Sequence, residues 1–421
     1  MMVINGAENG GENLKSSTKT KGVNGNGDHI EKRVRNSIAL STLDGSMEDA
    51  FESTLSNKYN LNLASIDDAI LGGHDFYVID LLDQDVIEVR KQIAILRENE
   101  PDSEVFLIAS EDMMKDPLAS RLRVGMEKYL IPRINRPEGE VVEQYNGVVR
   151  SAQKRISDFL NRPFLAKTGG SIWDLVETGE DVLQFFLKGA KELHNAGYPI
   201  VLTTGGGPRL DTERMLNEGT GASLDAEKIL LQQALGINEI LGDVGLVIGP
   251  KDFQRYYGSL RQKSYLRDNI PIVYSSGEDI NPIRSDAHTL AIGEKVKAYK
   301  LIFAKDTKGL YDRDPNVYKP KGRVSKILSQ SEENIFRSVM YADQVITDID
   351  RKGRDGRGDH VVETDALIRL QHMYTKNVRA IQIIDGKFPD MLRYAMEGHR
   401  MLPGGKDYVG SFILRGEVPR G

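Results

Sequence analysis

From Ser37 onward, short apolar runs alternate with longer stretches in which apolar residues recur every three or four positions. The runs "SIAL", "DFYVIDLL" (75–82) and "EVFLIASED" (104–112) read as buried strands. Between them, "SMEDAFESTLSNKYN" has helical spacing through Met47, Phe51 and Leu55, and "DVIEVRKQIAILRENEP" is an amphipathic helix that ends before Pro101. "VGMEKYLIPR" follows, then a long polar–apolar helix, "EGEVVEQYNGVVRSAQKRISDFL". The alternation restarts after Pro163. "FLA" runs into "KTGG", and Val182, Leu183, Phe186, Leu187, Ala190 and Leu193 form a helical apolar face, with Gly197 suited to that helix's C-terminal cap. "PIVLT" is a buried strand, "SDAHTLAIGEKV" a helix with Ser285 near its cap, and "KLIFA" the next strand. Strands alternating with helices predict an α/β protein with parallel sheets.

The first 36 residues break this pattern. They are rich in Gly, Asn, Ser, Thr and Lys and carry few apolar side chains. Such a segment buries too little surface to offset its ordering entropy and is expected to be a flexible tail. The rest divides into a small α/β domain over 37–137, a linker helix over 138–161 and a larger α/β domain over 162–421.

Composition narrows the functional classes. A chain of 421 residues with a formal charge of −6 carries no overall nucleic-acid footprint. The absence of cysteine excludes disulfides and thiolate chemistry. No apolar run reaches the length of a membrane span, and the N-terminus lacks the order of a signal peptide, so a soluble, cytoplasmic protein is expected. The seven histidines are scattered, and none is spaced from another as a metal ligand, so no protein metal site is assigned.

Two turns carry candidate chemistry. In "FLAKTGGSIWD" a strand meets Lys167, Gly169 and Gly170, an arrangement that suits either a phosphate group or an ordinary strand-to-helix turn. In "TTGGGPR" the strand end meets Gly205, Gly206, Gly207 and Arg209, where backbone N–H groups and a guanidinium could reach phosphate oxygens. Asp286, in the first turn of its helix, either complements the helix dipole or serves the lysines beyond the next strand. The loop after that strand holds Lys305, Lys308, Gly309, Tyr311 and Asp314.

Taken in order and spacing, "AKTGGSIWD", "TTGGGPR", "SDAHTLA" and "KDTKGLYDRDP" resemble the amino-acid kinase superfamily. The resemblance covers about residues 162–415 and implies a three-layer αβα sandwich around a largely parallel eight-stranded sheet. It implies ATP and Mg2+ as cofactors and transfer of the γ-phosphate to a small anionic acceptor. Lys167 would contact the transferred phosphate, Asp286 would orient the lysines, including Lys305, and Gly169, Gly170, Gly205, Gly206, Gly207 and Arg209 would line the phosphate path. Lys308, Gly309, Tyr311, Asp314 and Pro315 would hold the nucleotide, with Arg284 and His288 on the substrate side. "KGLYDRDPN" resembles the uridylate kinase form of this loop. "INPIRSDAHTLA" and the C-terminal "RAIQIIDGKFPD…GSFIL" also resemble the molybdenum storage branch, which implies a nonenzymatic alternative with an oxometalate as cargo. A homo-oligomer is expected.

The 37–137 region resembles a response-regulator receiver domain, with Asp80 at the phosphoacceptor position and Ser110 at the switch hydroxyl. The acidic pair of that family is reduced to Asp44 in "STLDGS", and its lysine position holds Ile131. A degenerate receiver used for docking or regulation is expected. "RKGRDGRGDH" (351–360) reads as a solvated loop or an oxoanion contact, and "FQRYYGSLRQKSYLR" (253–267) as a helix whose tyrosines pack beneath it or form a subunit contact.

Overall fold

The computed structural model describes residues 37–63, 74–115, 130–132, 145–205, 226–275, 285–311, 336–351, 362–371 and 377–415, apart from a few isolated positions within these stretches. The expected tail over 1–36 and the 351–360 loop beyond Arg351 lie outside them.

Two parallel-dominated sheets organise the described chain, which is an α/β protein as the alternation requires. The first sheet holds β1 (Ser37–Ser41), β2 (Asn60–Leu63), β3 (Phe76–Asp80), β4 (Glu104–Ala109) and β5 (Leu130–Pro132) in the order β2-β1-β3-β4-β5, every pair parallel. This is a doubly wound order whose switch point lies between β1 and β3. Asp44 caps the helix Gly45–Leu55, accepting from the N–H groups of Ser46 and Met47. Asp85 does the same for Val86–Asn99 through Ile87 N–H. The helix Asn146–Leu160, set apart in the sequence as a linker, turns its Val148, Val149, Ala152, Ile156 and Phe159 into the core of this first sheet.

The second sheet has eight strands: β6 (Phe164–Thr168), β9 (Ile200–Thr204), β10 (Gly245–Ile248), β11 (Ile270–Val273), β12 (Lys300–Lys305), β15 (Val339–Tyr341), β16 (Ala380–Asp385) and β17 (Ser411–Leu414). Their order is β10-β11-β9-β6-β12-β16-β17-β15, and only the β16–β17 pairing is antiparallel. Two small hairpins stand apart from it, β7 (Val176–Glu177) with β8 (Glu180–Asp181) and β13 (Leu310–Tyr311) with β14 (Phe336–Arg337).

Period-two alternation assigns the faces of the second sheet. Ala166, Ile200, Leu202, Ile302 and Ala304 pack with Val182–Asn195, Ala226–Leu241 and Met391–Met396 on one side. Leu165, Val201, Leu301 and Phe303 pack with Ser285–Val296 and Thr364–Gln371 on the other. Helices on both faces make a three-layer αβα sandwich. Gly293 permits the close fit of Ser285–Val296, because a Cβ there would fall 2.6 Å from Leu301 Cδ2. The two sheets meet at Tyr299, whose ring contacts Phe159 at 4.9 Å and Phe164 at 5.1 Å between centroids. Among the described residues, no helix is long and apolar enough to cross a membrane.

Candidate functional site

Lys167 and Lys305 end up side by side for a reason visible in the register. β6 and β12 are parallel neighbours, with Lys167 opposite Phe303 and Thr168 opposite Ala304. Lys167 shares its face with Leu165, and Lys305 shares its face with Phe303, so both lysines leave the C-terminal strand ends on the same side. The Phe303 ring lies beneath both ammonium groups, its centroid 5.4 Å from Lys167 Nζ and 5.9 Å from Lys305 Nζ. The helix Ser285–Val296 packs on this face and presents its first turn to them.

Asp286 joins the two lysines. Its Oδ1 accepts from Lys167 Nζ, and both carboxylate oxygens lie 3.3 Å from Lys305 Nζ. Lys167 Nζ also donates to Ser285 Oγ at 2.8 Å. The Lys167 and Asp286 side chains are each 1% exposed, whereas that of Lys305 is 15% exposed and forms the rim. Burial alone would raise the Asp286 carboxyl. The charges of Lys167 and Lys305, with hydrogen bonds from Lys167 and the Glu363 N–H, outweigh it and hold the group at about 2. Lys167 moves below the usual lysine range, chiefly through burial, with Asp286 opposing the shift and Lys305 adding to it. Of the two proposed purposes of Asp286, the lysine-orienting one has the contacts.

Glu363, absent from the sequence reading, completes the cluster. Its Oε2 accepts from Asp286 N–H at 2.8 Å, its own N–H donates to Asp286 Oδ2 at 3.1 Å, and Ser285 Oγ donates to its Oε1 at 3.4 Å. Burial first, and the Asp286 charge second, push its carboxyl above the ordinary range.

The described glycines have packing duties. A Cβ on Gly169 would fall well inside 3.0 Å of Ala304 O, and one on Gly205 would sit 2.8 Å from Gly170 N and 2.9 Å from Thr168 O. Gly169 N–H donates to Ala304 O at 2.8 Å and Gly205 N–H to Thr168 O at 3.0 Å. These two residues therefore let three strand ends close together, and their N–H groups are spent inside the protein. The first turn after them, Gly170–Ile172, is a short 3-10 helix.

The nucleotide loop is partly described. Lys308 makes an exposed pair with Asp407 at 3.8 Å. Gly309 has φ +152° and abuts Ser411, whose Oγ accepts from Leu310 N–H at 2.8 Å. The Tyr311 backbone pairs with Phe336 in the β13–β14 hairpin. His288 is buried at 3% exposure in the helix–sheet layer. Gly206, Gly207, Arg209, Arg284, Asp314 and Pro315 lie outside the described residues. No three His, Asp or Glu side chains gather as a metal site among the described residues.

The switch point of the first sheet holds the other carboxylates singled out in the sequence. Asp80 is 1% exposed; its Oδ2 accepts from Thr42 Oγ1 at 2.9 Å and its Oδ1 from Leu82 N–H at 3.1 Å. Asp44, besides capping its helix, accepts from Tyr145 OH at 2.6 Å. Ser110 Oγ accepts from Met113 N–H at 3.3 Å at the start of a short helix, and Ile131 is fully buried. Both carboxylates are occupied in holding helices and turns.

Fold and site together define an α/β protein with a lysine–aspartate–lysine centre at the C-terminal edge of its larger sheet. The family model described as the amino acid kinase family matches residues 259–351, a segment that contains Asp286 and Lys305. No curated protein matches the sequence. Among solved structures, a uridylate kinase from Archaeoglobus fulgidus is similar at 16% identity and a TM-score of 0.42, over 60% of this chain and 99% of that one. A UMP kinase from Bacillus anthracis is similar at 14% identity and a TM-score of 0.43, over 60% and 96%. An aspartate kinase from Synechocystis is similar at 12% identity and a TM-score of 0.41, over 61% and 40%.

Proposed function

We propose that the chain is an ATP-dependent phosphotransferase acting on a small anionic acceptor, with Lys167 and Lys305 holding the phosphates. The observation that carries this reading is the pair of lysines from adjacent strand ends sharing one buried aspartate. Phosphoryl transfer between anions needs charge neutralisation and positioning more than an acid–base pair. Two ammonium groups held rigidly at a sheet edge supply both, and the amino acid kinase family match over the same helix and strand agrees with it.

ATP supplies the phosphoryl group when bound. Lys305, at the rim, would meet it first, and Lys167, deeper, would meet charge that develops at the transferred group, a reading that their 15% and 1% exposures support. Asp286 does not face the anion as a binding group, since like charges repel; it fixes where the two ammonium groups stand. Mg2+ would arrive on the nucleotide phosphates. Lys308, Gly309 and the Tyr311 segment would border the nucleotide, and Arg284, just ahead of the helix Ser285–Val296, would face the acceptor.

The test is ADP release from Mg·ATP by the full chain, with uridine, cytidine and guanosine monophosphates, aspartate, glutamate and carbamate as acceptors. The reading requires ADP release that one acceptor stimulates and that Lys167→Ala abolishes. Release that no anion stimulates, unchanged in Lys167→Ala, would remove it.

A further inference from the structure

Four charged side chains meet at the candidate site, and only three have been given work. Glu363 is the fourth. It reaches the site from the segment that opens the helix Thr364–Gln371, where its carbonyl accepts from the N–H groups of Ala366 and Leu367 at 3.0 and 3.2 Å. At such a position a polar side chain ordinarily caps its own helix. Here the two helix starts exchange carboxylates. Glu363 takes the Asp286 N–H at the start of Ser285–Val296, and Asp286 takes the Glu363 N–H at the start of Thr364–Gln371.

We infer that Glu363 is a positioning residue of the lysine–aspartate centre, which fixes the Asp286 carboxylate from behind and, through it and Ser285, the two ammonium groups. The inference rests on the reading of those ammonium groups as phosphate-binding. Three observations carry it. The reciprocal bonds leave Asp286 neither translation nor rotation without breaking a backbone contact at one of the two helix starts. Ser285 Oγ accepts from Lys167 and donates to Glu363, a second path from the deeper lysine to the same carboxylate. Among the described residues, the groups that face Glu363 are Asp286, Lys167, Lys305 and Ser285, so its charge acts on the site directly as well as through contacts.

The arrangement also explains why a second carboxylate is tolerated beside the first. Among the described residues, two lysines opposite two carboxylates balance in charge when all four are ionised. A lone Asp286 between two lysines would leave a buried positive excess, which is costly in low dielectric. Asp286 keeps its charge at about 2, while burial and Asp286 raise Glu363, so the two carboxyls titrate apart.

The experiment is a pH titration of the full chain carrying 13Cε-labelled lysine, followed by NMR, with the Lys167 signal assigned through Lys167→Arg. Glu363→Gln keeps an acceptor oxygen and removes the charge. The Lys167 midpoint should then shift downward, because a neighbouring negative charge that favoured the ammonium form is gone. Glu363→Asp keeps the charge and should leave it near the wild-type value. A Lys167 midpoint unmoved by Glu363→Gln would reduce Glu363 to a helix cap and overturn the inference. If Glu363→Gln does not fold, the wild-type chain still decides: the Lys167 signal should show a second inflection on the acid side as Glu363 gains its proton, and its absence overturns the inference. Failure of ATP binding by the wild-type chain would instead remove the phosphate reading, leaving the titration result to stand by itself.

Discussion

Asp286→Asn removes one charge from a side chain that is 1% exposed and nothing from its shape. The ordinary carboxyl value is 3.8; against the upward pull of burial, the charges of Lys167 and Lys305 with their hydrogen bonds bring it to about 2. At about 1.36 kcal/mol per pH unit, that difference corresponds to about 2 kcal/mol of native-state stabilisation at pH 7. The sign follows from the direction. A carboxyl depressed in the folded state stabilises fully above its unfolded value and loses that contribution as pH falls through its folded value. From these two values about half of that should be gone by pH 3 and nearly all by pH 1. Replacing both members of a buried pair can be neutral, but here Lys167 remains, 1% exposed, beside Lys305. The variant should therefore be less stable than wild type by about 2–3 kcal/mol at pH 7. Urea unfolding at pH 7 and pH 3 is the assay, followed by fluorescence of Trp173, the sole tryptophan, which packs in the core of the second sheet and so reports that sheet's transition. The midpoint should drop with an unchanged slope, and the gap to wild type should close by about half at pH 3. Equal stability at pH 7, or a gap independent of pH, would refute the reasoning.

Glu363 carries the opposite sign: raised in the folded state, it stabilises below its unfolded value of 4.5 and loses that contribution as pH rises through its folded value. Wild type should consequently gain stability between pH 7 and about 4.5 relative to Glu363→Gln, as urea midpoints across that range will show. Gly169→Ala should cost about 1–3 kcal/mol, because its Cβ meets the Ala304 carbonyl, which is backbone and cannot swing aside. Gly147→Ala, in the helix Asn146–Leu160 with nothing within 4 Å, should instead add up to about 1 kcal/mol, and thermal melts distinguish the two. Asp80 should take no phosphate from acetyl phosphate, since both its oxygens are bonded and it is buried; an adduct in intact-mass spectra that Asp80→Asn removes would contradict this.

The architecture was legible because buried parallel strands are written as continuous apolar runs, and "PIVLT", "KLIFA" and "EVFLIA" stand out against helices with period 3.6. The edge strand β2, "NLNL", was not, since it is mostly exposed and alternates polar with apolar residues over only four positions. Lys167, Asp286 and Lys305 could be named together because each follows or opens a strongly patterned element, and the parallel pairing of β6 and β12 then brings the lysines into register. Glu363 left no such mark. In "VVETDALIRL" it reads as an acidic residue at an ordinary helix start, and its partner stands 77 positions away. The glycines of "KTGG" and "TTGGG" were read as places where the backbone approaches a phosphate ligand; at Gly169 and Gly205 the backbone that comes close is the protein's own. Asp80 stands at a phosphoacceptor-like strand end in a region already read as degenerate, and the Thr42 and Leu82 contacts show what its carboxylate does there.

The central claim is that Lys167 and Lys305, held by Asp286, form a binding site for the phosphates of a nucleotide. Calorimetric titration of the full chain with Mg·ATP tests it most directly, in wild type and in Lys305→Ala. Lys305 is the choice because its side chain is the rim member of the cluster and its removal leaves the buried Lys167–Asp286 pair intact. The account predicts saturable binding by wild type, weakened about tenfold or more in Lys305→Ala, as loss of one charge-assisted contact to phosphate requires. No heat of binding from the folded wild-type chain, or equal affinity in the variant, would contradict it.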